Sequence, residues 1–547
     1  MKRLHLIISI ILGCLAFPLK SQDVSYSIPL DSANVINNAV LLRTVSGVRQ
    51  YVMMPTQYGT DITTGEPLIV IVNNSLGTNS VEIRTITGLD GLVVNDIALG
   101  NNNIIYFGGY RHSKAVYGTV NATLDTINAI YDENSHYCKA IAYRHLNGTS
   151  YLFTGDQWTV NSAKISSFYT AGGALTPMNS NGFTDALSEV DVVLSQNSTL
   201  AATYGISIGR YDSRHIALFK NNLSNLQTSS LSKRKVILPQ YWQWHEGGGS
   251  VARTVNDTYV AAIDVRCDTS EKDGVWFVKF KMVSSVMNII ETKLIEFPAQ
   301  KVIVKDLFFV DDLKKGYRLC VAGQYIDATL STSWNGCPFI MVIDTNLINE
   351  KVKLYATHYP QYGNRNFTLN KMCYDAPTNR LIAVGSYWSY PPTYTTGGIY
   401  LATSNIFSNS TPQYSCVEDL TVANKSTVRS YGLINGMSTM LPQWTLSMVF
   451  PSYDTTKSIS TDCVPSLLPE TKSMSESLNH HIVIVENHIE FQNVDGMVDY
   501  VIYDMLGRKE DWGSVSSSIN ISSLPKGVYI IQISQNNQII AREKFVK

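Results

Sequence analysis

The strings in this sequence that could do chemistry are short. Gly205-Ile206-Ser207-Ile208-Gly209 has the G-x-S-x-G spacing that lifts a nucleophilic serine onto a sharp strand-to-helix turn. The next residues, Arg210-Tyr211-Asp212-Ser213-Arg214, read as loop before another strand, so Ser207 is not expected to act as one. His245-Glu246 begins as a zinc-binding helix would, but Gly247-Gly248-Gly249 neither continues a helix nor supplies the second histidine. Those glycines read as a wide turn entering Val251. Asp311-Asp312 lacks the alternating carboxylates of a calcium loop, and no two carboxylates stand out as a glycosidic acid and base. No metal and no cofactor is expected.

A different constellation recurs. Tyr110-Arg111-His112, Asp156-Gln157-Trp158, Asp264, Gln324-Tyr325 and Ser386-Tyr387-Trp388 each stand just past an apolar run that ends in a small residue. An aromatic ring with hydrogen-bonding neighbours is a platform for sugars or extended peptides. Tyr110, Arg111, Trp158, Tyr325, Tyr387 and Trp388 are therefore the candidate ligand contacts. The alternative is that these rings pack beneath neighbouring loops.

The elements that must position them are strands. Between Asp23 and about Thr461 helical periodicity is almost absent, and one unit returns: an apolar strand, a polar turn, then a second apolar strand with a small end. Val94–Leu99 turns into Ile104–Tyr110, Lys139–Tyr143 into Tyr151–Gly155, and Val190–Leu194 into Leu200–Gly205. Ser250–Arg253 turns into Tyr259–Ile263, Lys305–Phe309 into Leu319–Gly323, and Asn370–Tyr374 into Leu381–Gly385, with a weaker copy at Ala39–Leu42 and Gln50–Met54. The return period of roughly 45 to 60 residues lies in the range of four-stranded propeller blades. Third strands are expected at Ala115–Val120, Ile216–Phe219, Val275–Phe280, Phe339–Ile343 and Gly398–Ala402.

The region from 23 to 463 thus resembles a β-propeller of six or seven blades, with no WD signature and a single kelch-like glycine pair at Gly108-Gly109. Radial repetition covers both apolar faces of each sheet and leaves only short edges. A pair of β-sandwiches is the alternative. In a propeller, the loop after each second strand opens on the face that usually holds the ligand, where the aromatic sets above would stand. Cys416–Phe450 holds strand-like pieces that would complete the final blade or form a cap.

Composition narrows the partners. The 547 residues are 44% hydrophobic and 16% charged, with 43 Lys+Arg against 44 Asp+Glu. Such a balance gives no field for nucleic acid, and no basic run occurs. Met1-Lys2-Arg3 before an apolar Leu4–Phe17 reads as a signal peptide over residues 1–22, and no later stretch is apolar enough to span a membrane in the mature chain. Seven cysteines remain after Cys14 is removed, an odd number that cannot pair completely. Cys320 with Cys337, and Cys416 with Cys463, are candidate disulfides; buried free thiols are the alternative.

Residues 464–479 are rich in Ser, Pro and Glu and read as a linker. Beyond them, 480–547 forms a module with two sharp phrases, Tyr503-Asp504-Met505-Leu506-Gly507-Arg508 and Leu524-Pro525-Lys526-Gly527-Val528-Tyr529. Each is a turn framed by strand, with Asp504 or Pro525 opening it and Gly507 or Gly527 closing it. In this order, and before the basic Lys544-Phe545-Val546-Lys547, they resemble the type A C-terminal sorting domain of the type IX (Por) secretion system of Bacteroidota. The resemblance implies a small Ig-like sandwich that docks with the outer-membrane translocon and is removed by a surface sortase. It assigns recognition to Tyr503, Asp504, Gly507, Arg508, Leu524, Pro525, Gly527 and Tyr529. It also implies export through the periplasm and across the outer membrane, to the cell surface or the medium. Asp31-Ser32-Ala33, Asp125-Thr126-Ile127 and Asp454-Thr455-Thr456 resemble the short strings such organisms O-glycosylate. Two readings of the larger region stay open: a module binding a glycan or host protein, or a hydrolase or lyase acting on peptide or polysaccharide.

Overall fold

A computed structural model of the chain describes residues 24–461 and 481–547. Excepted are internal stretches, the longer being 184–190, 196–203, 223–231, 327–335, 356–364, 390–396, 408–416 and 433–443. The expected signal peptide (1–22) and expected linker (464–479), Cys416, Cys463, Asp31–Ala33, Gly507 and Arg508 lie outside the described residues, as do the side chains of Trp158 and Asp504. The chain divides into two units, 1–467 and 468–547. All described regular structure apart from short 3-10 turns is β-strand, in nine sheets.

Seven of these sheets belong to the first unit, and chain order gives most of each as a four-stranded meander. Their first strands are Val40–Val45, Val93–Leu99, Tyr137–Leu146, Asp191–Leu194, Trp242–Arg253, Lys301–Asp312 and Lys371–Asp375. Each first strand touches that of the next sheet, and Lys371–Asp375 returns to Val40–Val45, so the seven close a ring. The seventh sheet is completed from the other end of the unit: Val24–Leu30 pairs with Gly397–Ser404, Val24 opposite Thr403 and Leu30 opposite Gly397. Arg49 Nη1 lies 2.5 Å from Asp375 Oδ1, and Tyr51 donates its hydroxyl to the same carboxylate at 3.0 Å, across the closing seam.

Apolar faces explain the arrangement. Val52, Ile69 and Ile71 of the first sheet share a core with Phe107, Val116 and Ile127 of the second. Trp276 and Phe280 of the fifth sheet pack with Ile206 and Leu218 of the fourth, while the opposite face of the fifth packs Phe277 and Ile295 on the sixth. A strand apolar on both faces needs cover on both, and a neighbouring sheet on each side supplies it.

Two of the small-ended second strands meet a close carbonyl at their glycine. In the second, third and sixth sheets the first strand carries a β-bulge, between Val94 and Asp96, Cys138 and Ala140, and Val304 and Asp306. A Cβ on Gly109 would stand 2.0 Å from the Val93 oxygen, and one on Gly323 2.1 Å from that of Ile303. Only glycine fits there.

Two expectations are corrected. Cys320 and Cys337 lie on neighbouring strands but do not pair, because the register sets Cys320 opposite Val342 and Cys337 opposite Tyr325. The strands after Val417 neither complete one sheet nor cap the ring. They run round its perimeter against chain order, one to a sheet. Val417–Asp419 adds to the sixth sheet, Ala423–Ser426 to the fifth and Tyr431–Gly432 to the fourth. Trp444–Val449 then joins the second, Pro451–Ser458 the first and Ser460–Thr461 the Val24–Leu30 strand.

The second unit is a three-stranded and a four-stranded sheet enclosing Ile489, Ile519 and Ile521 against Val498, Ile502, Ile531 and Ile533. Gly527 and Lys547 exchange two backbone hydrogen bonds, which ties the last residue to the second of the two phrases.

Candidate functional site

The ring of first strands surrounds a central passage with a charged waist. Asp96, Asp191 and Asp306 come from the second, fourth and sixth sheets, and Lys371 from the seventh. Each aspartate straps its strand to the next: Asp96 accepts the Ile141 N–H at 2.9 Å, Asp191 that of Val251 at 2.8 Å, and Asp306 that of Met372 at 2.8 Å. Lys371 Nζ stands 3.2 Å from Asp96 Oδ1 and 3.5 Å from Asp306 Oδ1.

Burial pushes the Asp306 carboxyl up to about 6, against the pull of Lys371, and raises that of Asp96 in the same way. Burial works against the charge on Lys371, yet Asp306, Asp96 and Asp191 hold it protonated. A carboxyl whose folded value exceeds its ordinary 3.8 binds its proton more tightly folded than unfolded. Its share of stability therefore falls as pH rises from about 4 to about 6. Asp306→Asn removes that term. The wild-type melting temperature minus that of Asp306→Asn is expected to fall from pH 4 to pH 7; a rise would contradict the assignment.

On one side of the waist the passage widens to a cavity of about 910 Å³, whose lining includes Tyr143, Arg144, Arg253, Phe309, Asp311 and Tyr374. On the other, a narrower opening of about 180 Å³ is lined by Asn38, Asn95, Lys139, Lys305 and Asn370 above the waist. Three of these, Asn95, Lys139 and Lys305, are the extra residues of the bulges, so the irregularity re-aims one polar side chain per sheet into the opening. The amides form a chain. Asn370 donates to Asn38 at 3.1 Å, Asn38 to Asn95 at 3.1 Å, and Asn95 to the Cys138 carbonyl at 2.8 Å.

The aromatic sets stand at this narrower end and divide. Tyr110 packs edge-on against Tyr137 at 4.6 Å, and Lys139 Nζ lies 5.5 Å from the Tyr137 ring centre, but neither ring lines the opening. Arg111 donates to the Asp90 carbonyl and the Tyr131 hydroxyl, both at 2.8 Å. Tyr325 and Tyr387 are enclosed, at 4% and 5% exposure; Tyr325 lies against Phe297 and Tyr387 against Phe367. Trp388 is half-buried at the end of its strand. Ser207 sits in mid-strand at 1% exposure with a hairpin after it, and His245–Gly248 fill a wide bulge between Trp244 and Gly249. Cys138, Cys320 and Cys373 are buried thiols whose acidity burial suppresses, which leaves them unreactive. Among the described residues no group of three His, Cys, Asp or Glu is placed to hold a metal.

The waist and the bulged residues were not singled out from the sequence. The available signal was an Asp set directly before an apolar strand in alternate units: Asp96-Ile97, Asp191-Val192 and Asp306-Leu307.

Residues 482–547 match the family described as a secretion system C-terminal sorting domain. No curated protein matches the chain. Among solved structures, it aligns with the extracellular domain of a putative hybrid two-component system from B. thetaiotaomicron at 10% identity and TM-score 0.22, over 96% of this chain and 99% of that one. The extracellular domain of a putative one-component system from the same organism aligns at 10% identity and TM-score 0.13, over 96% and 97%. Scores this low carry no argument about the fold. The sorting tail makes the chain a cargo of type IX secretion that engages that machinery and crosses the outer membrane, to the cell surface or beyond. Among the described residues no helix is long and apolar enough to cross a membrane.

Proposed function

We propose that the exported cargo is a binding module: a β-propeller of seven blades that takes a glycan or protein ligand at the narrower mouth of its central passage. In this reading residues 1–22 are a signal peptide, 23–463 the propeller, 464–479 a linker and 480–547 an Ig-like sorting domain. Support for the propeller comes from first strands that touch in a closed ring and from sheets apolar on both faces. The ligand assignment rests on the bulges that turn Asn95, Lys139 and Lys305 into one opening. Amides and ammonium groups suit hydroxyl and carboxylate oxygens.

A hydrolase would need carboxyls that reach a substrate. Asp96 and Asp306 are 5% and 3% exposed, and peptide N–H groups and Lys371 already occupy their oxygens. These two carboxyls are thereby taken up by the fold. The test is a titration of the purified protein against neutral and uronate-bearing oligosaccharides and against peptides. Lys139→Ala and Lys305→Ala are each expected to weaken an acidic ligand about tenfold, or about 1.4 kcal/mol, at unchanged melting temperature. A ligand that binds tightly and ignores both changes would place the site elsewhere.

A further inference from the structure

Among the described residues, the two most exposed large apolar side chains both lie in the tail: Trp512 at 64% and Met497 at 62%. The register shows which face Trp512 occupies. Trp512 stands opposite Val501, and Tyr503 opposite Ile530, in the sheet formed by Lys509–Val515, Val498–Asp504, Val528–Gln535 and Gln538–Val546. Residues opposite one another share a face, and those alternating with them point the other way. The alternating set, Val498, Tyr500, Ile502, Ile531 and Ile533, fills the core between the two sheets. Trp512, Val501, Tyr503 and Ile530 therefore form a stripe on the outer face, with the Lys509 ammonium 6.0 Å from the Trp512 ring centre.

The two phrases of the tail separate on this geometry. The second holds the fold: Leu524 and Tyr529 are 7% and 5% exposed, and Tyr529 donates its hydroxyl to the Pro525 carbonyl at 2.8 Å. The first begins on the outer face with Tyr503, beside the apolar stripe. Core packing does not account for an exposed tryptophan there, and large exposed apolar side chains mark contact surfaces. A sorting domain exists to be recognised, which identifies the occupant as a protein of the export machinery.

We propose that this outer face, centred on Trp512, is the surface by which the export machinery grasps the tail. The test uses the full chain in a type IX-competent host, with Trp512→Ala, Trp512→Glu and, on the other sheet, Ser518→Glu. Surface protein is measured by protease shaving of intact cells, and the fold of the tail by its resistance to limited proteolysis in periplasmic extract. Trp512→Ala and Trp512→Glu are expected to cut surface protein at least tenfold and to accumulate periplasmic chain with a protease-resistant tail. Ser518→Glu is expected to be exported as the wild type is. Normal export of both Trp512 variants would overturn the proposal. So would loss of tail resistance in both, which would make Trp512 a folding residue. Loss of self-association by the purified chain at unchanged export would do the same, since the occupant would then be a second copy.

Discussion

Removal of Val528–Lys547 is expected to leave the chain in the periplasm and absent from the cell surface. The deletion takes two of the four strands of the larger tail sheet, including Val528–Gln535, one of the two that pair on both sides. It also takes Tyr529, Ile531 and Ile533, at 5%, 0% and 1% exposure, from a core of few residues. Burying a side chain of this size stabilises by about 1.5–3 kcal/mol. Three such losses exceed the roughly 3–5 kcal/mol that a domain of this length holds in reserve. The tail unfolds and its recognition face goes with it. The ring is a separate unit with its own core, so the retained protein is expected to keep the melting transition of the full chain. Fractionation with immunoblotting reads the outcome; surface display at the wild-type level would contradict the role of the tail.

Replacing Lys164 by alanine is expected to destabilise the ring by about 3–5 kcal/mol, because it strands a buried charge. Lys164 and Asp132 are both fully buried and form an ion pair between the second and third sheets. Lys164 Nζ also reaches the Ser135 hydroxyl at 3.1 Å, and that hydroxyl donates to Asp132 at 2.7 Å. Asp156, close by, is already pushed up to about 6 by burial, against the influence of Lys164. Two carboxyls thus depend on one ammonium. Lys164→Ala is expected to lower the melting temperature strongly, while Asp132→Leu with Lys164→Met recovers part of the loss, since the apolar pair needs no partner but Asp156 still loses the ammonium. Equal losses in single and double variants would show the pair to be incidental. The substitution lies outside both binding surfaces, so residual folded protein should bind ligand normally.

The fold was legible where its causes are local. Paired strands with a turn between them read directly, because Asn147, Asn256 and Asn379 adopt the left-handed backbone that such turns require, at φ 49°, 56° and 57°. The small residue closing each second strand read as a pattern, and at Gly109 and Gly323 a carbonyl of the neighbouring strand leaves no room for a Cβ. Long-range pairing did not read. Nothing local in Val24–Leu30 says that it joins Gly397–Ser404, and the perimeter strands are brief, as Tyr431–Gly432 illustrates. Their register comes from the sheets they meet.

The site was half legible. The end of the ring carrying the aromatic sets could be inferred, but the exposure of each ring could not. Tyr325 and Tyr387 occupy the positions expected of ligand contacts and are enclosed by Phe297 and Phe367. Lys139 and Lys305 read as ordinary strand residues, because a bulge depends on two strands together. The tail read best, since turn residues at fixed places carry its phrases, and residues 482–547 bear that reading out.

The central claim is that the address is carried by the tail and that the ring is its cargo. Fusing residues 468–547 to a folded periplasmic reporter in a type IX-competent host tests it most directly. The account predicts that the reporter reaches the cell surface or the medium, and that Trp512→Ala in the fusion stops it. A reporter that stays in the periplasm although its tail resists proteolysis would contradict the claim and move part of the address into the ring.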